Sequence, residues 1–120
     1  MAKEIKTIDY DSENDIFFIN NGKKVKASID IGDFVLDVSH NNLICGIEVM
    51  DASENLGISK DFLNSIKNIK MSVNYNTNNV YVLLVMTFKK KGKEVNMSIP
   101  LTLSLGHKTP MKEELVYGGV

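Results

Sequence analysis

Three observations predict an α+β fold in which strands predominate. Short segments alternate apolar and polar residues, turn dipeptides separate them at close intervals, and one central stretch switches to helical spacing. At 120 residues the chain can bury a core without disulfide or metal staples. One α+β domain is expected over residues 1–104, with 105–120 as a loosely ordered tail.

The strands come first. "IKTIDY" (5–10) leads through "DSEN" into "DIFFIN" (15–20). Asn21-Gly22 follows, a dipeptide that tolerates positive φ and suits a two-residue hairpin loop. In "VKASIDI" (25–31), Val25, Ala27, Ile29 and Ile31 alternate with Lys26, Ser28 and Asp30, the period of a half-buried strand. Gly32-Asp33 turns this into "FVLDV" (34–38), and Asn41-Asn42 turns that into "LICGIEVM" (43–50). Five strands with links this short predict an antiparallel meander, because parallel neighbours need a longer crossover. On the fifth, Leu43, Cys45, Ile47 and Val49 are expected to share the core face.

The polarity then changes. Asp51 with Glu54 three residues later has the spacing of a reciprocal N-terminal cap, and Gly57 is placed to stop that short helix. Ser59 can cap a second helix, "KDFLNSIK", with Phe62, Leu63 and Ile66 as its apolar stripe and Asp61 in its first turn. Three strands follow: "IKMSVNY" (69–75), "VYVLLVMTF" (80–88) and "EVNMSIPLTL" (94–103), with turns at Thr77-Asn78-Asn79 and Lys91-Gly92. The middle strand is apolar on both faces, so a cover is expected on each side, one of them from a second copy of the chain. Pro100 cannot donate to a ladder, which places the last strand at an edge or a bulge. Beyond Leu105 only Thr109-Pro110 has the form of a helical start, and "YGGV" that of a loose end.

Composition narrows the chemistry. The net charge is −1, from 14 basic and 15 acidic side chains, so no global field favours nucleic acid or acidic partners. All the basic residues are Lys, and the planar guanidinium fork that reads guanine or grips phosphate in two places is missing. A single cysteine, Cys45, fits a reducing cytoplasm, and neither a leader pattern nor a long apolar run suggests a membrane.

"IDYDSENDIFFI" followed by "ASIDIGDFVLDVSHNNLICGIEVMDAS" resembles the small prokaryotic family called domain of unknown function 2283. The motif covers 8–53: Tyr10-Asp11, then Asp15 opening an aromatic strand, Leu36-Asp37, and Gly46 through Ser53. Phe18 stands where a Tyr is common, and "SHNNLI" replaces an acidic, Gly-containing turn. The resemblance implies this fold family and no established activity. Some of its members lie beside small toxins and are taken for antitoxins.

Each candidate site has a plain structural alternative. Asp9, Asp11, Glu13 and Asp15 resemble the start of a calcium loop, but Asn14 stands where Gly is needed and the distal bidentate Glu is missing, so a solvated turn is expected. Asp37, Glu48 and Asp51 are the weak candidates for a metal site or an acid–base pair if adjacent strands join them. Cys45 reads as a small buried hydrophobe, with His40 in the preceding turn aimed at water and His107 in the tail. Two His and one Cys lack zinc spacing, and no Gly-rich phosphate loop or Ser triad is visible. Phe17, Phe34, Tyr75, Tyr81 and Phe88 lie in apolar strands as core residues.

Lys23, Lys24 and Lys26 flank one hairpin, and Lys89, Lys90, Lys91 and Lys93 another. At the same end of the fold they would form a patch able to contact nucleic-acid phosphates; otherwise they blunt strand edges. The function expected is a noncatalytic, cofactor-free, cytoplasmic interaction module. It would form a homodimer or other homo-oligomer, with a small protein partner as in an antitoxin or accessory subunit. Nonspecific nucleic-acid binding and carboxylate-based metal binding are the alternatives.

Overall fold

The computed structural model describes residues 3–105. It is the expected α+β arrangement of two antiparallel sheets joined by two short helices. The strands are β1 (Lys3–Glu4), β2 (Thr7–Asp11), β3 (Ile16–Asn20), β4 (Val25–Ile31), β5 (Phe34–Ser39) and β6 (Ile44–Val49). The helices α1 (Ala52–Leu56) and α2 (Lys60–Leu63) precede β7 (Ile66–Tyr75), β8 (Asn79–Lys90) and β9 (Lys93–Ser104).

The first sheet has the order β2-β3-β6-β5-β4 and the second β1-β7-β8-β9. The five-stranded sheet is therefore not a simple meander. Strands β4, β5 and β6 form one, and β6 returns to pair with β3. Asn21-Gly22 accordingly closes no hairpin. The Asn21 N–H donates to the Cys45 carbonyl at 2.8 Å, and the chain runs across the sheet end to the far edge. Such an excursion spans about three strand spacings, or ~14 Å, within reach of the link from Asn20 to Val25. Nor is "IKTIDY" one strand. Ile5 donates to the Ile69 carbonyl and Lys6 to the Asn20 carbonyl, so the chain changes sheets between these neighbours.

Three register shifts modify the alternation. One falls between Val25 and Ala27, which leaves Val25 41 % exposed rather than in the core. Another lies opposite Asp37 and Val38, where Val38 pairs with Ile44 and Asp37 with Gly46. Cys45 is the extra residue, so Ile44 takes the core position expected of Leu43. A third makes Lys67 the extra residue between Ile66 and Asn68. Each inserts one residue and resets which side chains face inward.

One apolar cluster draws on both sheets and both helices, with Phe17, Ile19, Leu36 and Ile47 from the first sheet and Ile69, Leu84, Met86 and Phe88 from the second. Alternate residues of β8 from Val80 to Phe88 point into it. Ser59 caps α2 by accepting from the Phe62 N–H at 3.3 Å, and the Phe62 ring meets Phe88 edge-on at 5.3 Å. That helix ends at Leu63, earlier than expected, and Ile66 already opens β7. The two-residue turn Lys91-Gly92 has φ of 52° and 79°, the paired positive values that match strand twist in a tight hairpin. Pro100 lies in edge strand β9, as its missing donor requires. Leu105, assigned by sequence to the tail, is buried and donates to the Asn78 carbonyl at 2.7 Å. Expectations for Thr109-Pro110, His107 and the terminal "YGGV" lie outside the described residues.

Candidate functional site

The family motif converges on a corner where β6 ends and α1 begins. Asp51 does not cap α1. Its φ of 47° and ψ of 49° put it in the left-handed region, and its side chain makes no cap hydrogen bond. The cap comes from Asp15, 38 residues upstream in the turn between β2 and β3. The Ser53 N–H donates to its two carboxylate oxygens at 3.0 and 3.2 Å, and the Ser53 hydroxyl to Oδ2 at 2.7 Å. The Ala52 N–H donates to the Asp15 carbonyl at 2.9 Å. From the other side the Tyr10 hydroxyl donates to Oδ1 at 2.5 Å. Asn55 completes the joint, its amide donating to the Met50 carbonyl at 2.6 Å and to Asp33 Oδ2 at 3.1 Å.

These bonds perturb both ionisable groups. Burial first, and the bond to Asp15 second, push the Tyr10 hydroxyl up to about 12. Burial would raise the Asp15 carboxyl as well, but donors from Tyr10 and Ser53 and the nearby Lys60 charge outweigh it and hold the group below its ordinary value. Asp11 closes the preceding turn as expected, accepting from the N–H groups of Glu13 and Asn14 at 3.1 Å and from the Asn14 amide at 2.8 Å. Two of the run's four carboxylates, Asp11 and Asp15, are thus taken up by turn and cap bonding.

A second part of the motif lies on the outward face of the first sheet. Asn20, Gly46, Asp37 and Ser28 form one row across four strands, by their pairing registers. The Asn20 Oδ1 accepts from the Gly22 N–H at 2.6 Å, and the Asp37 Oδ1 from the Ser28 hydroxyl at 2.9 Å. Glu48 opposes Val35 rather than Asp37, which makes Asp37 and Glu48 diagonal neighbours on one face, ~7–8 Å apart by sheet geometry. Asp51 is exposed beyond the strand end. The three do not converge, and no group of three or more His, Cys, Asp or Glu side chains among the described residues has metal-binding geometry. Cys45 is 1 % exposed, and burial, then the Asp37 charge, push its thiol up, away from the thiolate a nucleophile needs.

The lysines sit toward opposite ends of β7. Lys26 bonds to Asn42, next to the start of β6, where the Ile44 N–H donates to the hydroxyl of Tyr75, the last residue of β7. Lys23 and Lys24 lie on the link into β4, the strand that carries Lys26. Lys89, Lys90, Lys91 and Lys93 surround the β8–β9 turn beyond Phe88, which pairs with Ile66, the first residue of β7. One continuous basic patch is not formed from the two groups.

The remaining feature is the outward face of β8. Tyr81 and Leu83 are each 39 % exposed, and Val85 follows on the same side, half-buried. Opposite them stand Asn74, Ser72 and Lys70 on β7 and Thr102, Pro100 and Ser98 on β9. The result is an apolar spine between two margins that are polar except at Pro100. Its sequence signal was the doubly apolar run 80–88; the signal for the Asp15 cap was only the recurrence of Tyr, Asp and Ser in the motif.

The family described as "Protein of unknown function (DUF2283)" matches residues 7–53. A Methanosarcina mazei protein named "Putative hypoxanthine phosphoribosyltransferase" is 34% identical over 92 residues, covering 76% of this chain and 75% of that one. An uncharacterized protein of Methanocaldococcus jannaschii is 37% identical over 54 residues, 44% of this chain, which spans about half (47%) of that relative. No solved structure matches the chain.

Proposed function

The chain belongs to the DUF2283 family, and from that premise we propose that it is a noncatalytic interaction module whose principal partner is a second copy of itself. The observation that carries this is the exposed spine of Tyr81, Leu83 and Val85 on the outward face of β8. An apolar centre with a polar margin is the anatomy of an interface. Three strands of 10–12 residues give a face of roughly 40 Å by 15 Å, or ~600 Å² per copy, at the lower end of what a specific dimer buries. A net charge of −1 leaves two copies free to approach. Residues 1–104 act as one domain in this reading, since a single core draws on both sheets.

The test is the oligomeric state by sedimentation. The parent is expected to form a dimer at micromolar concentration, and Leu83→Lys is expected to weaken it at least a hundredfold while leaving the melting temperature of the monomer unchanged. A parent that stays monomeric at high concentration overturns the reading.

A small protein partner of antitoxin or accessory type is favoured by a different observation. Strand β9 runs for twelve residues with no neighbour on its outer side among the described residues. An extended segment of another protein could add there, on either side of Pro100. Phosphoribosyl transfer to hypoxanthine, the activity in the archaeal relative's name, is carried by sequence identity alone. Nucleotide formation from hypoxanthine and a phosphoribosyl donor, above a no-protein control, would refute the noncatalytic reading.

A further inference from the structure

A cleft of about 470 Å³ opens where the chain passes from one sheet to the other, between β1–β2 and α2–β7. Its volume lies within the range of small-molecule sites. Its apolar lining comes from Ile5, Ile8, Leu63 and Ile66, of which Ile5 and Leu63 are buried, and from Tyr10. Because the Tyr10 hydroxyl is tied to Asp15, that ring is fixed in orientation. Four polar side chains, Lys6, Lys67, Asn64 and Asn68, complete the lining. None of these four side chains makes a hydrogen bond or ion pair among the described residues.

Two features set the cleft apart from ordinary surface. The first is charge. The chain carries one more acidic than basic residue, yet two lysines and no carboxylate line this cleft among the described residues. The second is backbone geometry. A regular strand sends successive side chains to opposite faces, but the register shift at Lys67 gathers Ile66, Lys67 and Asn68 onto one cleft. Bulges are enriched beside binding sites because they re-aim side chains in this way.

We propose that this cleft binds a small organic phosphate monoester. Two ammonium groups match a phosphate carrying close to two negative charges, and Lys binds phosphate as a point charge without needing the fork that favours carboxylates. The two Asn amides supply neutral donors to the remaining oxygens. The Tyr10 ring and the isoleucine–leucine lining take the apolar body of the ligand. The site is independent of the self-association face on β8.

The probe is phenyl phosphate, titrated into the full chain and followed by amide chemical shifts. Saturable shifts are expected at Ile5, Lys6, Lys67 and Asn68. The double variant Lys6→Gln/Lys67→Gln is expected to bind at least tenfold more weakly; both lysines are exposed, and an unchanged melting temperature verifies its fold. Lys89→Gln/Lys93→Gln is expected to bind like the parent. Inorganic phosphate binding as tightly as phenyl phosphate overturns the apolar subsite, and benzoate doing so overturns the preference for phosphate. Shifts centred on Lys89–Lys93, or no saturable shift at all, overturn the site. The same titration on Leu83→Lys separates its failure from that of the dimer.

Discussion

Asp15→Ala is expected to destabilise the protein by about 2–3 kcal/mol, which lowers the melting temperature by roughly 10 °C. One carboxylate accepts from the Tyr10 hydroxyl, the Ser53 N–H and the Ser53 hydroxyl, all partly buried, and removing it leaves those donors to find water or nothing. Alanine also fits poorly at the φ of 55° found there, whereas Asn and Gly tolerate it. Asp15→Gly therefore isolates the side-chain loss, and Asp15→Asn, which keeps one acceptor oxygen, should fall about halfway. A chemical-denaturation series that found Asp15→Ala within about 0.5 kcal/mol of the parent would sink the cap assignment.

The same corner predicts two limbs in the pH dependence of stability. The Asp15 pKa is lowered in the folded state, so its contribution is present above the ordinary carboxylate range and lost as pH falls through the folded value. The Tyr10 pKa is raised from 10.0 to about 12, so its contribution is full below 10 and lost as pH rises toward 12. Tyr10→Phe should weaken both limbs; burial also raises the Tyr75 hydroxyl and the Cys45 thiol, so part of the alkaline limb should remain. Asp11 is also lowered, by the Asn14 side chain first and then by backbone donors, so Asp15→Asn should retain part of the acid limb. Melting temperatures across pH for the three proteins check this directly.

Much of the fold was legible because its determinants are local. Lys91-Gly92 closes its hairpin, Gly57 ends α1, Ser59 caps α2 and Pro100 marks an edge, each through chemistry confined to a few residues. The doubly apolar β8 was expected to be covered on both faces; the core covers one, and the described residues leave Tyr81 and Leu83 on the other 39 % exposed. What the pattern concealed depends on distant partners. Asp51 and Glu54 have cap spacing, but the left-handed turn at Asp51 withdraws its side chain, and Asp15 from another turn takes its place. The pairing of β3 with β6 is likewise non-local, so a short link containing Asn-Gly passed for a hairpin. Bulges at Lys26, Cys45 and Lys67 insert single residues that alternation alone cannot locate. The diagonal offset of Asp37 and Glu48 follows from that register, which is why their separation could not be read from spacing.

The second large effect is expected at Gly46, in the central strand β6. A Cβ there would lie 2.8 Å from the Ile19 carbonyl oxygen, 2.9 Å from Asn20 Nδ2 and 3.0 Å from Asp37 Oδ2. The first contact is with the backbone of the paired strand β3, which cannot withdraw without stretching its ladder. The other two belong to side chains held by the Gly22 N–H and the Ser28 hydroxyl. Gly46→Ala should therefore cost about 2–4 kcal/mol through overpacking, although alanine ordinarily favours a strand over glycine. Gly57→Ala is the contrasting case: its added methyl meets open space, and only the φ of 68° opposes it, for about 1 kcal/mol. Trimming Asn20 and Asp37 to Ala in the Gly46→Ala background should recover part of the loss but not the share due to Ile19. Urea denaturation of the single and combined variants resolves these terms as a coupling energy. Full additivity would mean that Asn20 and Asp37 do not close over Gly46, and the motif glycine would need another explanation.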